Sequence, residues 1–389
     1  MRNRLPKPKL SLRSFSTRGL PPFFLLLGLL TLPTLTLSSS GNAAEKVPSL
    51  RLSTYSVFGE SEIKAGLSFP PFANTEQQEF TLKAMQELGL DRMRIAIDWR
   101  NREREQGSYY WEPMDQRMQR ARESNLKVFL TIASTGPDWA CLPSGKDGAN
   151  LFDEQALKGF FEAILTRYDT IEKIQFGNEW EAGSNGYTDG ESVKKFVLYT
   201  NMLYEVVQEH SPKTQVVLGG ITRLHPIMQK FAGAPDRLDF SRLQLSRSWS
   251  RELLLKRIER DRVAYESLQI QRNMEYVFEH ASYDLLDIHL YDDAENWGAY
   301  LSALPKDIPI VVSEFGGPSS EFEQTNHQYH AKRMEAYINS IEKLPITEAY
   351  YFKLVDSPES YHKHSGLYTK RLRKKPAYEV FEQRLSPKL

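Results

Sequence analysis

The chain has one cysteine, Cys141, among 389 residues. No disulfide can form within it, so the fold rests on packing and hydrogen bonds alone. It also lacks net charge, because 50 basic and 50 acidic side chains cancel. That balance excludes the strongly basic surface of a nucleic-acid-binding domain. No apolar run reaches the roughly 20 residues of a membrane-spanning helix. The longest, residues 21–37, has 17 positions and is broken by Pro21, Pro22 and Pro33. No internal repeat or long low-complexity linker is visible. No glycine-rich phosphate turn follows the first strand-like run, which argues against an open nucleotide-binding sheet.

What the sequence does contain begins with an export signature. Arg2, Arg4, Lys7, Lys9, Arg13 and Arg18 precede the apolar run, small residues close it at Gly41-Asn42-Ala43, and no acidic residue occurs before Glu45. Basic, then apolar, then small is the order of a secretory signal peptide, which places cleavage near Ala43. An uncleaved membrane anchor is the alternative. Residues 1–43 are therefore expected to direct export, and residues 44–389 to be a secreted, periplasmic or membrane-tethered domain. Loss of the first 43 residues removes six positive charges and no negative ones, leaving 44 basic against 50 acidic residues, a formal charge of −6.

Within residues 44–389, β-like runs alternate with helical stretches eight times. The expected strands are Ile63–Phe69, Arg92–Trp99, Lys127–Ser134, Lys173–Glu179, Gln215–Ile221, Tyr283–Tyr291, Ile308–Phe315 and Ala349–Val355. Helical stretches include Glu76–Leu88, Asp153–Tyr168, Glu191–His210, Phe322–Ile341 and Pro376–Arg384. Alternation of this kind builds a parallel sheet with helices outside it. Eight repeats predict an α/β fold of the (β/α)8 TIM-barrel type. One segment breaks the rhythm between the fifth and sixth strands, where residues 231–275 carry nine basic and seven acidic side chains. Mixed charge marks a solvated helical insertion, with a lid over the cleft as the minority reading.

Active sites of such barrels lie at the carboxyl ends of the strands, and strand side chains alternate between faces. In the sixth strand Asp287, His289 and Tyr291 share the inward face, opposite Leu286, Ile288 and Leu290. In the fourth, Gln175, Gly177 and Glu179 point inward, with Asn178 at the rim. In the seventh, Ile310, Val312 and Glu314 share a face. In the second, Arg94, Ala96 and Asp98 alternate with apolar residues. Glu179, Glu314 and Arg94 thus converge on one barrel mouth. A carboxyl pair is what glycoside cleavage needs, one to protonate the departing oxygen and one to meet the sugar carbon. Arg94, and a hydrogen bond from Tyr291, would favour the ionised form of Glu314. Glu179, beside Trp180, would sit drier and keep its proton. Trp139 and Trp297 are candidates for stacking on a sugar face.

These residues resemble clan-A glycoside hydrolases, retaining (β/α)8 enzymes, over essentially all of residues 44–389. Asn178-Glu179 matches the Asn-Glu pair that closes the fourth strand and carries the acid/base. Ser313-Glu314-Phe315-Gly316 matches the nucleophile segment of the seventh. His289-Leu290-Tyr291 matches the sixth-strand His-x-Tyr, and Arg94 the second-strand arginine. Asp98-Trp99, Gln106 through Trp111, Asp115 and Pro137-Asp138-Trp139-Ala140 are similar to segments of family 39, the β-xylosidase and iduronidase family, with cellulase-like family 5 next. One departure is the end of the eighth strand, where Tyr350-Tyr351-Phe352-Lys353 replaces the clan's tryptophan.

The resemblance implies a retaining hydrolase of β-linked oligo- or polysaccharides, with Glu179 as acid/base and Glu314 as nucleophile. It requires neither metal nor cofactor. His362-Lys363-His364 has no evident third metal ligand, and Cys141 has no histidine partner that would make it a nucleophile. The basic run Lys370–Lys375 favours an acidic polysaccharide only if it borders the cleft. The rivals are a transglycosylase that remodels an exopolysaccharide and a carbohydrate-binding barrel without catalysis.

Overall fold

In the computed structural model the chain enters on a short strand, β1 (Tyr55–Phe58), and then alternates strands and helices around a closed barrel. The structure describes residues 55–145, 147–181, 186–222, 256, 266–291, 294–301, 304–317, 326–357 and 362–388. The expected export segment and most of the charged insertion lie outside them. Among the described residues, no helix is long and apolar enough to cross a membrane.

The barrel strands are β2 (Lys64–Ser68), β3 (Arg92–Ile97), β4 (Lys127–Ile132), β7 (Ile171–Phe176), β8 (Gln215–Ile221), β9 (Leu285–Tyr291), β10 (Ile310–Gly316) and β11 (Glu348–Phe352). Each pairs in parallel with the next. The ring closes where β11 pairs with β2, Glu348 opposite Lys64 through Tyr351 opposite Leu67. The expected eight-stranded barrel is therefore the fold. Two features were not anticipated. A hairpin of β5 (Cys141–Leu142) and β6 (Leu151–Phe152) follows β4, and a C-terminal β12 (Leu385–Lys388) pairs antiparallel with β1.

Local signals explain the helices between the strands. Helix α1 (Thr75–Glu87) starts at Asn74, whose side chain accepts from the Gln77 amide, and α3 (Glu154–Arg167) starts at Asp153 in the same way. Asp189 caps α4 (Gly190–His210) by accepting from the Glu191 and Ser192 amides. Asn326 caps α7 (His327–Ile341), and Pro376 opens α8 (Pro376–Gln383). Side-chain caps satisfy amides that have no partner within the helix. The remaining helices are α2 (Glu112–Glu123), α5 (Glu266–His280) and α6 (Trp297–Leu301). The apolar stripe of α4, including Val193, Phe196, Leu203 and Val207, is buried against the sheet.

The barrel interior is filled by a separate cluster of Phe129, Val217, Leu285, Val311 and Tyr350. Beneath it, Arg92, Lys173 and Glu348 form a buried charged layer. Glu348 Oε1 accepts from Arg92 at 2.8 Å and from Lys173 at 2.9 Å, while the Tyr350 hydroxyl donates to Oε2 at 2.7 Å.

The seventh strand departs from simple alternation. The register of β10 against β9 slips between Val312 and Glu314. Val311 joins the interior cluster and Val312 the outer core. Ile310 and Val312 therefore do not share a face with Glu314. The extra residue of a bulge re-phases the strand, and Ser313 and Glu314 both reach the barrel mouth.

Candidate active site

Glu314 lies at the end of β10 with its side chain 7% exposed, and both carboxylate oxygens are held. Arg94 Nη1 donates to Oε1 at 2.6 Å, and the Tyr291 hydroxyl donates to Oε2. Arg94 itself is wholly buried. Its Nη2 donates to Asn178 Oδ1 at 2.5 Å and its Nε to Thr131 Oγ1 at 2.9 Å. One rigid guanidinium thus links β3, β4, β10 and the turn after β7, a task suited to its planar fork of donors. Asn178, expected at the rim, is turned inward onto this guanidinium. Burial and the neighbouring Glu314 push the Tyr291 hydroxyl well above its ordinary pKa, so it remains a proton donor.

Glu179 occupies the opposite wall. Strand β7 stops at Phe176, three residues sooner than expected, because Gly177 and Glu179 both take positive φ, 76° and 52°. The left-handed conformation costs a side-chain-bearing residue about 1–3 kcal/mol and tends to mark functional sites. Close packing supports the turn. A Cβ on Gly220 of β8 would lie 2.9 Å from both Asn178 Oδ1 and the Glu179 amide. Glu181, which the sequence reading passed over, is buried and accepts from the Thr222 amide at 2.5 Å, tying this turn to the end of β8. The Glu179 side chain is 30% exposed and open to the mouth.

His289 bridges the two walls. Its Nδ1 lies 3.0 Å from Glu179 Oε1, its Nε2 3.1 Å from Ser313 Oγ and 3.6 Å from Glu314 Oε1. Burial would depress its pKa, but Glu314, Asp287 and Glu179 outweigh that and hold it up at about 10. Its two ring nitrogens are within hydrogen-bond reach of Glu179 and Ser313. Asp287 supports it from behind, accepting from the Ser313 amide at 2.8 Å and from Ser313 Oγ at 2.6 Å. Asp287 is fully buried and serves the site through Ser313.

One oxygen each of Glu179 and Glu314 and a ring nitrogen of His289 all lie within 4.8 Å of one another. The three side chains could in geometry accept a metal ion. The Arg94 guanidinium on Glu314 already supplies positive charge there, which disfavours a further cation.

Not every expected residue reaches this centre. Asp98 caps a short turn, accepting from the Arg100 amide at 3.0 Å, Thr135 Oγ1 at 2.6 Å and Asn101 Nδ2 at 2.7 Å. It shapes the loop after β3. Trp139 is half-buried, donates to the Glu103 carbonyl at 3.0 Å and packs edge-on against Trp99. Trp297 is corrected from a sugar platform to a core residue, being fully buried with its ring stacked on Tyr337 of α7. Trp180 likewise stacks on Phe196 in the core, so it does not dry the Glu179 carboxyl. Of the basic run, Lys375 is buried against Asp356 and Lys374 pairs with Glu87 at the end of α1. Two residues that periodicity did not single out do reach Tyr291: His362, stacked on its ring, and Phe352 at the end of β11, edge-on to it.

No family model matches the sequence, and no curated protein matches it. Solved structures do match its fold. An exo-β-1,4-mannosidase from Opitutaceae bacterium strain TAV5 superimposes with a TM-score of 0.56 at 14% identity, covering 85% of this chain and 61% of that one. A GH39 β-xylosidase from Caulobacter crescentus gives 0.52 at 12% identity, covering 86% and 73%. A GH5_18 variant from Bifidobacterium longum subsp. longum, in complex with Manβ1-4GlcNAc, gives 0.56 at 12%, covering 82% and 77%. The fold is the one these glycoside hydrolases share. Both families named on sequence resemblance, 39 and 5, occur among the neighbours. The chain spans about three-fifths of the mannosidase's length.

Proposed function

We propose that this chain is a retaining glycoside hydrolase acting on β-linked oligo- or polysaccharides, with Glu179 as acid/base and Glu314 as nucleophile. The observation that carries the proposal is the approach of one oxygen from each carboxyl group to within 4.8 Å across the barrel mouth. Retaining enzymes hold the pair about 5–5.5 Å apart, whereas inverting ones leave about 6.5–9.5 Å for a water. The hydrolase fold of the neighbours supports the reaction class.

In this reading a β-glycoside binds with its anomeric carbon between the two side chains. Glu314 forms a bond to that carbon as the bond to the leaving oxygen breaks, and Glu179 gives its proton to that oxygen. Arg94 and Tyr291 keep the nucleophilic carboxylate aimed throughout, as pre-set donors that need no reorganisation. Glu179, now a carboxylate, accepts a proton from water, whose oxygen attacks the anomeric carbon and frees Glu314. His289 donates to Glu179 and steadies it in its charged state between the two steps. The partial exposure of Glu179 gives water access to the face that needs it. The basic, apolar and small-residue order of the first 43 residues supports export to the periplasm or medium as the place of action.

The test uses activated aryl β-glycosides of xylose, glucose, mannose and uronic acids. At least one is turned over by the wild type, Glu314→Gln abolishes turnover, and azide restores a Glu314→Gly variant with inversion of the product. Near-normal activity of Glu314→Gln would end the proposal.

A further inference from the structure

Tyr291 holds one oxygen of Glu314, and its own ring is held in turn. His362 lies face-on to it, with ring centroids 4.1 Å apart and planes at 17°. Phe352 meets both rings edge-on, 6.4 Å from Tyr291 and 5.8 Å from His362. Such ring pairs hold one another in place beyond what their burial alone gives. A phenol trapped on one face and one edge has little freedom to swing its hydroxyl. Burial above all, then Lys353 and His289, push His362 down to about 4 against the opposing pull of Glu314. That shift favours the neutral form of the stacked ring.

His362 is fixed from below. The Ser365 amide donates to the His362 carbonyl at 3.4 Å, and the Ser357 amide to the Lys363 carbonyl at 3.1 Å. Lys375 Nζ donates to Asp356 Oδ1 at 3.0 Å and to the His364 carbonyl at 2.7 Å, and the Gly366 amide donates to Asp356 Oδ1 at 2.9 Å. The Asp356–Lys375 pair is largely out of solvent, with side chains 10% and 1% exposed. A low-dielectric ion pair of this kind is firm because breaking it strands a charge.

We infer that His362 is a positioning residue for the nucleophile: carried on a loop that Asp356 and Lys375 clamp at Gly366 and His364, its ring pins Tyr291 so that the hydroxyl meets Glu314. The catalytic consequence rests on the hydrolase reading, while the geometry does not. His362 acts through Tyr291, so its effect must vanish when the hydroxyl is absent.

The experiment compares wild type, His362→Ala, His362→Phe, Tyr291→Phe and the double variant His362→Ala/Tyr291→Phe on an activated aryl β-glycoside. His362→Ala lowers kcat about tenfold with KM nearly unchanged, and His362→Phe, which restores a flat ring, recovers activity to within about twofold. In the Tyr291→Phe background the same alanine change costs less than about twofold, the mark of two residues acting as a unit. Additive losses in the double variant would overturn the inference. Crystal structures of wild type and His362→Ala supply a readout that needs no turnover. A Tyr291 hydroxyl swung off Glu314 supports the pin, and one left in place refutes it. If His362→Ala does not fold, His362→Leu removes the flat ring at similar volume. A wild type inert on every glycoside sinks the hydrolase reading alone, and the crystallographic comparison still decides the pin.

Discussion

Arg94→Met removes one charge from the centre of the site and leaves the apolar stem. In the native barrel Arg94 is wholly buried, between the rings of Phe69 at 4.5 Å and Phe129 at 5.4 Å. It bonds Glu314, Asn178 and Thr131, and its Nη2 lies 4.0 Å from Asp287 Oδ2. Methionine fills much of the space but abandons two buried carboxylates. Breaking a buried pair from one side costs about 3–5 kcal/mol. The unfolding entropy of the Lys46–Leu389 unit is about 0.7 kcal/mol/K, so Tm falls by about 4–7 °C. Loss of a pre-set donor on the proposed nucleophile lowers kcat by about 10²–10³-fold. Arg94→Lys does not rescue, since an ammonium cannot hold three acceptors with the geometry of a planar fork. Calorimetry and steady-state kinetics on an aryl glycoside measure both effects. A Tm within about 1 °C of wild type, with kcat within threefold, would refute the assignment of Arg94 as the organiser of the site.

The charged layer below the site separates stability from catalysis. Burial would raise the Glu348 pKa, but Lys173 and Arg92 outweigh it and bring it down to about 2. Its contribution is therefore full above the ordinary carboxylate range and lost as pH falls through about 2. Glu348→Gln takes away the buried carboxylate that Arg92 and Lys173 share, leaving them only their side pairs with Asp91 and Glu172, and destabilises by about 3–5 kcal/mol at pH 7, with kcat at 25 °C nearly unchanged; a large loss of kcat in folded protein would contradict this. His330 of α7 is buried, bonded to the Tyr351 hydroxyl at 2.9 Å, and held well below its ordinary pKa by burial, with Lys375 and His327 adding to the effect. The unfolded chain takes up a proton below pH 6.5 that the fold refuses, so its contribution is present above that pH and lost beneath it, by about 1.4 kcal/mol per pH unit. His330→Gln flattens the fall of Tm between pH 6.5 and 5, and an unchanged slope would rule it out.

Much of the barrel was legible because eight apolar runs of strand length alternate with helical stretches. Arg94, Glu179, His289, Tyr291 and Glu314 were legible because each follows the inward phase of its strand or closes it. Where the period breaks, face assignments from alternation fail. The bulge in β10 re-phased Ser313 and Glu314, and the positive-φ turn at Gly177 and Glu179 brought Asn178 onto Arg94. Long-range ring packing is not encoded in any local period, so Trp297 and Trp180 went to the core unannounced. For the same reason His362 reached Tyr291 from a loop, and the Asp356–Lys375 clasp beneath it had no local signal. The charged layer did have one: Arg92 sits two residues before Arg94 and so shares its face.

The most direct test of the central claim is covalent trapping. Wild-type protein is incubated with activated 2-deoxy-2-fluoro β-glycosides of glucose, mannose and xylose, and the adduct is located by peptide mass spectrometry. A single glycosyl ester on Glu314 is the predicted result. An adduct on Glu179, or turnover of the parent glycosides with inverted products and no adduct at all, would contradict the account.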